Sequence, residues 1–314
     1  MPVGLGSFFP AIRSAAKVYF VDPANGSDSN SGLRPDDPLD TVEAAYNKTV
    51  SKQGDIVFLL GDGSTTGTSR DDAIVWANSN THLIGVTAPG LNKRARISPP
   101  TTDTDVDAYT PYITLSGSGC VFANFSIFQG NSEDSKSSVG IYLTGNQNYI
   151  YNVDILTGAA ANQGDEACYQ LHITGSENVI ERCMIGTDTY SRGGTAGANV
   201  QFGGARNVLR DCILPMYADA NDQFFVYAAA SSCDRWNIME RCIMVNSSPV
   251  LTAATTLTAA VDWSATAGGL LFMKDCSMYG ATDITAADNS KVICHGLPIS
   301  TVDNSIATGT DVAS

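Results

Sequence analysis

The sequence predicts an all-β chain wound as a parallel β-helix, a solenoid in which every coil adds one strand to each of several long sheets. Three observations support this prediction. Short apolar stretches recur at a nearly fixed interval, charges at two repeat positions change sign from one repeat to the next, and only one segment is patterned as a helix. With 43% apolar residues in a chain of 314, the protein can bury a substantial core.

The repeat is clearest in three similar segments, NVIERCMI from residue 178, NVLRDCIL from 207 and NIMERCIM from 237. Its period of 28 to 34 residues is typical of solenoids and too short for a strand, a crossover helix and loops. Each repeat is therefore one coil, with strands where apolar residues alternate. The cysteine position of the repeat is occupied in turn by Phe125, Val153, Cys183, Cys212, Cys242 and Cys276.

We expect this cysteine column to form an inward ladder, because equivalent residues of parallel coils stack at about 4.8 Å and buried thiols pack as small apolar groups. Neighbouring thiols would also lie near disulfide distance, so the spacing leaves a bridge open. The reduced form is the expectation, since no export signal indicates an oxidising compartment. No C-x-x-C pair indicates a metal site.

An asparagine column precedes the cysteine column by five residues. Asparagine tolerates the left-handed backbone of a tight corner, and its amide can hydrogen-bond the asparagine of the next coil. We therefore predict a structural ladder at one corner of the coil. Its members are Asn148, Asn178, Asn207 and Asn237.

Two charged columns test the register independently. In-register stacking of like charges would destabilise neighbouring coils, and both columns instead reverse sign at every coil. We therefore predict that these charges form an ion-pair ladder on the outer face of the coils. The acids would then have a structural rather than a catalytic role. One column is Glu181, Arg210, Glu240 and Lys274, and the other is Arg182, Asp211, Arg241 and Asp275.

A solenoid needs caps over its open ends. Residues 39–52, LDTVEAAYNKTVSK, are patterned as a short N-terminal capping helix, with Asp40 as the N-cap and Glu43 as its capping-box partner. The predicted organisation is an arm over 1–17, a strand, loop and capping helix over 18–52, the β-helix over 53–294 and a tail over 295–314.

The predicted arm is too short to form a core but carries three apolar side chains among glycines. We expect it to dock on another subunit or partner through Phe8, Phe9 and Ile12.

The segment VYFVDPANGSDSNSG from residue 18, followed by PDDPLDTVEAAY and GDIVFLLGDG, resembles the opening of the pectin-lyase-like superfamily, particularly phage and bacterial members. The resemblance covers roughly residues 18 to 280 and implies a right-handed, single-stranded parallel β-helix. It implies little about activity, because the superfamily includes polysaccharide lyases, hydrolases, tailspikes and structural virion proteins. Its enzymes work on the outer wall of the coils, with acids, Ca²⁺ and an Arg base or with paired acids.

Candidate catalytic and metal-binding residues are few. The D-x-D-x-D motif at 103–107 resembles half of a calcium loop but lacks its Gly and closing Glu, and Asx-turns explain the acidic loop at 22–30. The three histidines are far apart in sequence, and His172 should face outward between Leu171 and Ile173. The sequence therefore assigns no catalytic, cofactor-binding or metal-binding residue, and it predicts no cofactor.

Charge and hydropathy argue against two kinds of partner, nucleic acids and membranes. A net charge of −14 argues against a nucleic-acid partner, and no apolar run approaches the roughly 18 residues of a membrane span. The expectation is a non-enzymatic structural protein of a tailed bacteriophage virion, attached to the capsid surface or the tail and made in the host cytoplasm. Its partners would be other virion proteins and copies of itself, as a trimer, with a surface glycan as a further candidate ligand.

Two alternatives stay open at this point. A polysaccharide-degrading β-helix, such as a tailspike depolymerase, lyase or glycoside hydrolase, would bring acids together between protomers. A carbohydrate-binding adhesion module would use exposed aromatic side chains as stacking platforms. The candidate platforms are Tyr151, Tyr190, Tyr217 and Trp263.

Overall fold

The computed structural model describes residues 16–61, 67–100, 111–129, 139–157, 168–192, 197–229, 232–248, 252, 254–264, 266–286 and 289–296. Over these residues the chain is an all-β parallel solenoid, which confirms the predicted fold class. The predicted docking residues Phe8, Phe9 and Ile12 and the motif at 103–107 lie outside the described residues. None of the described helices is long and apolar enough to cross a membrane.

Sheet A is the longest wall and runs the length of the solenoid. Neighbouring strands come from successive coils and are parallel, as a β-helix requires. Its ten strands are β1 (Val18–Val21), β2 (Ile56–Leu60), β5 (His82–Val86), β8 (Val121–Ala123), β11 (Tyr149–Tyr151), β14 (Val179–Glu181), β18 (Val208–Arg210), β21 (Asn237–Glu240), β24 (Leu271–Lys274) and β27 (Val292–His295).

Sheet B follows sheet A in each coil, and from β8 onwards the corner between them is two residues long. It comprises β3 (Thr68–Arg70), β6 (Arg96–Ser98), β9 (Ser126–Gln129), β12 (Asp154–Thr157), β15 (Met184–Ile185), β19 (Ile213–Ala218), β22 (Ile243–Asn246) and β25 (Ser277–Tyr279). A further strand, β16 (Thr187–Arg192), pairs with β19 but lies off the regular path.

Sheet C completes each coil. Its strands are β4 (Ile74–Trp76), β7 (Ile113–Leu115), β10 (Val139–Leu143), β13 (Tyr169–Ile173), β17 (Ala198–Phe202), β20 (Phe224–Ala228), β23 (Leu257–Trp263) and β26 (Ala281–Thr285). A 3-10 turn at Asn289–Lys291 precedes the last strand of sheet A.

The capping helix α1 spans Val42–Tyr46 and is shorter than the patterned segment. The predicted N-cap was wrong by one residue: the Thr41 hydroxyl accepts from the Ala44 N–H at 3.2 Å, while the Asp40 N–H donates to the Asp28 carboxylate at 2.9 Å. Thr41 has the extended backbone of an N-cap and a side chain of the right length. Glu43 makes no capping box, and its N–H donates to Asp71 at 2.8 Å.

The interior is a continuous apolar core, and the cysteine column lies in it. Val153, Cys183, Cys212, Cys242 and Cys276 are at most 2% exposed, and they follow the sheet A strands at the corner into sheet B. All eight cysteines are free thiols. The ladder therefore packs the core without disulfide bonds.

The predicted asparagine residues also lie at a corner, but their backbone is not left-handed. The left-handed residues are those just before them, Gln147, Glu177 and Arg206, with φ between 57° and 63°. The asparagines are buried, and the Asn178 amide donates to Asn207 Oδ1 at 3.0 Å. The ladder thus pairs buried polar groups from coil to coil, except at Asn148 Nδ2, which has no partner among the described residues.

The first charged column lies on the outer face of sheet A, where the register pairs Glu181 with Arg210 and Arg210 with Glu240. Arg210 lies 3.7 Å from the Glu181 carboxylate and 3.2 Å from that of Glu240. In the same column, Lys274 lies 3.4 Å from the Glu240 carboxylate.

The second charged column lies at the A–B corner, in left-handed backbone. There Arg241 pairs with Asp211 at 2.7 Å, whereas Arg182 donates to the Tyr151 hydroxyl at 2.9 Å. Among the described residues, Asp275 makes no ion pair. The corner column therefore holds one inter-coil ion pair within the described part of the chain.

Candidate functional site

The outer face of sheet C carries two columns of side chains, all of them half-buried except Ala198, which is buried. Strands β10, β13 and β20 share one burial pattern, in which the first and fourth residues are half-buried and the others are buried. The first column is Val139, Tyr169, Ala198 and Phe224, and the second is Tyr142, His172, Gln201, Tyr227 and Asp262.

We call the polar and aromatic members of these columns the aromatic face. They share one wall and successive coils, so they form a strip along the solenoid axis. The aromatic face comprises Tyr142, Tyr169, His172, Gln201, Phe224, Tyr227 and Asp262.

Four rings of this face lie in contact. The centroids of Tyr142 and His172 are 4.8 Å apart, and Tyr169 lies 5.9 Å from His172. Tyr169 and Tyr227 are also 5.9 Å apart, with ring planes only 14° from parallel. These distances are those of favourable aromatic pairs, so the rings support one another as a nearly continuous surface.

A local change in the strand pattern turns Tyr169 outward. Its neighbour Gln170 is buried, and Gln170 Oε1 accepts from the Thr157 N–H at 2.7 Å. Behind the strand, the buried Arg192 guanidinium donates to the Cys168 carbonyl at 2.8 Å. Polar groups inside the B–C corner therefore hold the start of β13 in place.

Burial shifts the titration of three groups on this face. It lowers the pKa of His172, which favours the neutral imidazole at pH 7, and it raises the pKa of Asp262. Burial raises the pKa of Tyr169 to about 12, with a smaller contribution from the nearby Tyr227. A neutral imidazole and a carboxyl with raised pKa are both suited to proton transfer.

Gln201 separates these titratable groups. Its Oε1 atom is buried and has no hydrogen-bond partner among the described residues. Such an acceptor is costly unless a ligand or solvent satisfies it. Since His172 and Asp262 stand three coils apart in one column, their backbones are separated by about 14 Å.

The stacking residues expected from sequence are placed elsewhere. Trp263 is wrong as a platform, because it is 1% exposed and packs inward against Phe202 with ring centroids 5.9 Å apart. Tyr151, Tyr190 and Tyr217 are half-buried residues outside sheet C. The acids of the charged columns are likewise not gathered on the aromatic face.

Most of this site was missed in the sequence, although a signal was present. The repeat places inward apolar pairs such as Ile141 and Leu143 at a constant position. The residue between each pair points outward, which selects Tyr142, His172 and Gln201 in three consecutive coils. Within the described residues, no group of three or more His, Cys, Asp or Glu side chains is arranged to hold a metal ion.

No protein-family model and no curated protein matches this sequence. Solved structures do match. A pectate lyase aligns at 13% identity over 94% of this chain and 74% of its own, with a TM-score of 0.63. A rhamnogalacturonan lyase aligns at 16% identity over 90% of this chain and 73% of its own, with a TM-score of 0.62. A pectin methylesterase in complex with a hexasaccharide aligns at 14% identity over 94% of this chain and 93% of its own, with a TM-score of 0.55.

At these identities the likeness establishes the parallel β-helix fold alone. The three matched structures are carbohydrate-active enzymes, which contradicts the expectation of a non-enzymatic protein; that expectation was wrong. It rested in part on the lack of a cluster of catalytic acids in the sequence, whereas the outward side chains of sheet C include aromatic rings and an imidazole. None of the three is a virion protein, so the bacteriophage expectation has no support from them.

Proposed function

We propose that the protein is a carbohydrate-active enzyme that binds a polysaccharide along the aromatic face and modifies it there. The observation that carries this proposal is the column of Tyr142, His172, Gln201 and Tyr227, which combines stacking rings with a neutral imidazole and an unpartnered acceptor. Enzymes with this fold are named for action on pectate, rhamnogalacturonan and pectin, which is consistent with a polysaccharide substrate.

Binding would use the ring surface. Tyrosine rings present an apolar face to the C–H groups of a sugar and a hydroxyl to its polar edge. Because the column follows the solenoid axis, consecutive sugar units would stack on rings from successive coils. Gln201, which is half-buried between His172 and Tyr227 in the same column, would lie beneath the bound chain.

Proton transfer would use the groups between and beyond the rings. His172 is in ring contact with both Tyr142 and Tyr169, so a chain stacked on these rings brings a linkage over the imidazole. As a neutral imidazole it acts as a general base. Asp262 lies three coils further along the column, so it would contact a different sugar unit of the same chain rather than the linkage over His172.

The test is turnover of a panel of polysaccharides: pectate, methyl-esterified pectin, rhamnogalacturonan and a neutral galactan. The product identifies the reaction, since elimination gives unsaturated ends, hydrolysis gives saturated reducing ends and ester cleavage gives methanol. We expect Tyr142→Ala and Tyr227→Ala to raise KM and His172→Gln to lower kcat at least tenfold with little change in KM.

Tyr217→Ala is the matched control, because Tyr217 is a half-buried tyrosine on sheet B. We expect it to retain wild-type turnover. A folded protein that modifies none of these polymers, or a His172→Gln variant with the kcat of the wild type, would contradict the proposal.

A further inference from the structure

The outer face of sheet A carries an unbroken apolar column over its last six strands. The register stacks one apolar or aromatic side chain of each strand on that of the previous coil: Tyr149, Val179, Val208, Ile238, Phe272 and Ile293. The first four are half-buried, and Phe272 and Ile293 are 36% and 42% exposed. Exposed apolar side chains that adjoin one another form a patch, which is typical of an interaction surface, whereas single ones are not.

The first charged column runs beside the apolar column, two residues further along each strand. Its charges alternate in sign over four successive coils: Glu181, Arg210, Glu240 and Lys274. An alternating column with an even number of members is complementary to its own reverse. In the reversed order Lys274 takes the place of Glu181, and Glu240 takes that of Arg210. The same face turned end to end therefore offers an opposite charge at every position.

The second charged column, at the A–B corner, belongs to the same surface. The Arg182 guanidinium lies over the Tyr151 ring, 5.9 Å from its centroid, and donates to its hydroxyl. Arg241 lies 2.7 Å from the Glu240 carboxylate, so both arginines are held against the outer face of sheet A. This column alternates as well. Among the described residues its end members, Arg182 and Asp275, form no ion pair.

We propose that two copies of the protein pack through this face, sheet A against sheet A, with their solenoid axes antiparallel. The twofold axis would run along the strand direction, between β18 and β21. It places Arg210 of each copy opposite Glu240 of the other, and Glu181 opposite Lys274. Each copy therefore meets a face of opposite charge along the whole column.

The same operation brings the two apolar columns together. Phe272 lies opposite Val179 of the second copy, and Ile238 lies opposite Val208. Sheets that pack face to face are about 10 Å apart, which allows these side chains to interdigitate. At the corner, Arg182 lies opposite an aspartate, Asp275 of the second copy. The dimer thus supplies an ion-pair partner to the end members of the corner column.

Charge selects this arrangement over its alternatives. With parallel solenoid axes, every charge would face the same charge of the second copy. A slip of one coil in the antiparallel arrangement would place Arg210 opposite Arg210 and Glu181 opposite Glu240. Like charges directly opposite one another are unfavourable, so both arrangements are disfavoured. A twofold arrangement closes at two copies, whereas the expectation from sequence was a trimer.

The matched strip is small. Five strand spacings make it about 24 Å long, and its three columns are about 10 Å wide. Its area falls below that of standard interfaces, roughly 800 Å² per partner, so we expect a weak and reversible dimer. The aromatic face lies on sheet C and stays open in this arrangement. The inference therefore does not depend on the proposed enzymatic function.

The test uses two single charge reversals, Glu181→Lys and Lys274→Glu. Sedimentation velocity of the wild type, over a concentration series that reaches the millimolar range, should show a monomer–dimer equilibrium. Each variant alone should dimerise at least tenfold more weakly, because like charges then face each other twice in every dimer. An equal mixture of the two variants should recover dimerisation, since a heterodimer has opposite charges at both places. With one variant isotope-labelled, native mass spectrometry distinguishes the heterodimer from either homodimer.

Three further variants complete the test. Arg34→Glu and Asp36→Lys change the net charge by the same amounts at an exposed pair outside sheet A, and both should dimerise as the wild type does. Ile238→Gln, next to the twofold axis, should weaken dimerisation at least tenfold. Circular dichroism establishes that each variant is folded. A wild type that stays monomeric throughout the series, folded single reversals that dimerise normally, or a mixture that associates no better than its components would overturn the inference.

Discussion

Loss of one partner of the buried Lys93–Asp154 pair should destabilise the protein strongly. The two charges lie 2.8 Å apart with no exposed side-chain surface. At an effective dielectric constant of about 20, their attraction is roughly 6 kcal/mol before the cost of desolvation. The Asp154 carboxylate also accepts from the Ser126 hydroxyl at 2.9 Å, so it is well satisfied while Lys93 is present.

Asp154→Asn would leave a buried ammonium without a counter-charge, and Lys93→Met would leave a buried carboxylate. Each substitution should lower the free energy of unfolding by about 3–5 kcal/mol, because the remaining charge is uncompensated. The double substitution Lys93→Met with Asp154→Asn removes both charges. It should therefore cost several kcal/mol less than the sum of the two single substitutions.

Urea unfolding, followed by circular dichroism, measures these differences from the midpoint and slope of each transition. Lys274→Met is the control, since Lys274 is about half exposed and lies 3.4 Å from Glu240. It should cost no more than about 1 kcal/mol. Single substitutions at Lys93 and Asp154 that cost as little as the control, or a strictly additive double variant, would refute the assignment of a buried, coupled ion pair.

Three further outcomes follow from the fold. Arg210→Glu would place three acids in one column with Glu181 and Glu240, and it should lower the free energy of unfolding by about 1 kcal/mol; an unchanged melting temperature would contradict the ion-pair ladder. Burial raises the pKa of Asp71 to about 7, above its unfolded value of about 3.9, so the native state holds the extra proton. Stability should therefore fall as the pH rises from about 4 to 7. Urea midpoints measured at a series of pH values should show this fall in the wild type and not in Asp71→Asn. In a maleimide labelling assay the native protein should react at Cys294 alone, which is half-buried, and at all eight thiols after unfolding; rapid native labelling of Cys212 would contradict the packed ladder.

The coil architecture was predictable from sequence because its contacts repeat. Each strand pairs with the equivalent strand about one period away, so a residue and its neighbour in the next coil occupy the same repeat position. The pairing of Glu181 with Arg210, and of Arg210 with Glu240, follows from this rule alone. Burial of Cys183 and Cys212 follows from it as well.

Details within a coil needed local geometry that the repeat does not specify. The left-handed residue at the asparagine corner precedes Asn178 rather than coinciding with it, and the helix begins after Thr41 rather than Asp40. Both differences are one residue in size. Backbone turns and caps depend on which hydrogen bond closes best, and the side-chain types alone allow either position.

The candidate sites depend on contacts that no repeat encodes. The outward position of Tyr142 and His172 was implied by the register, but the ring contact of His172 with Tyr169 requires the outward turn of β13. Lys93 and Asp154 are 61 residues apart and belong to different parts of the coil pattern. A periodic sequence specifies how coils stack, whereas the segments that leave the period and fold back over a wall acquire their partners only in three dimensions.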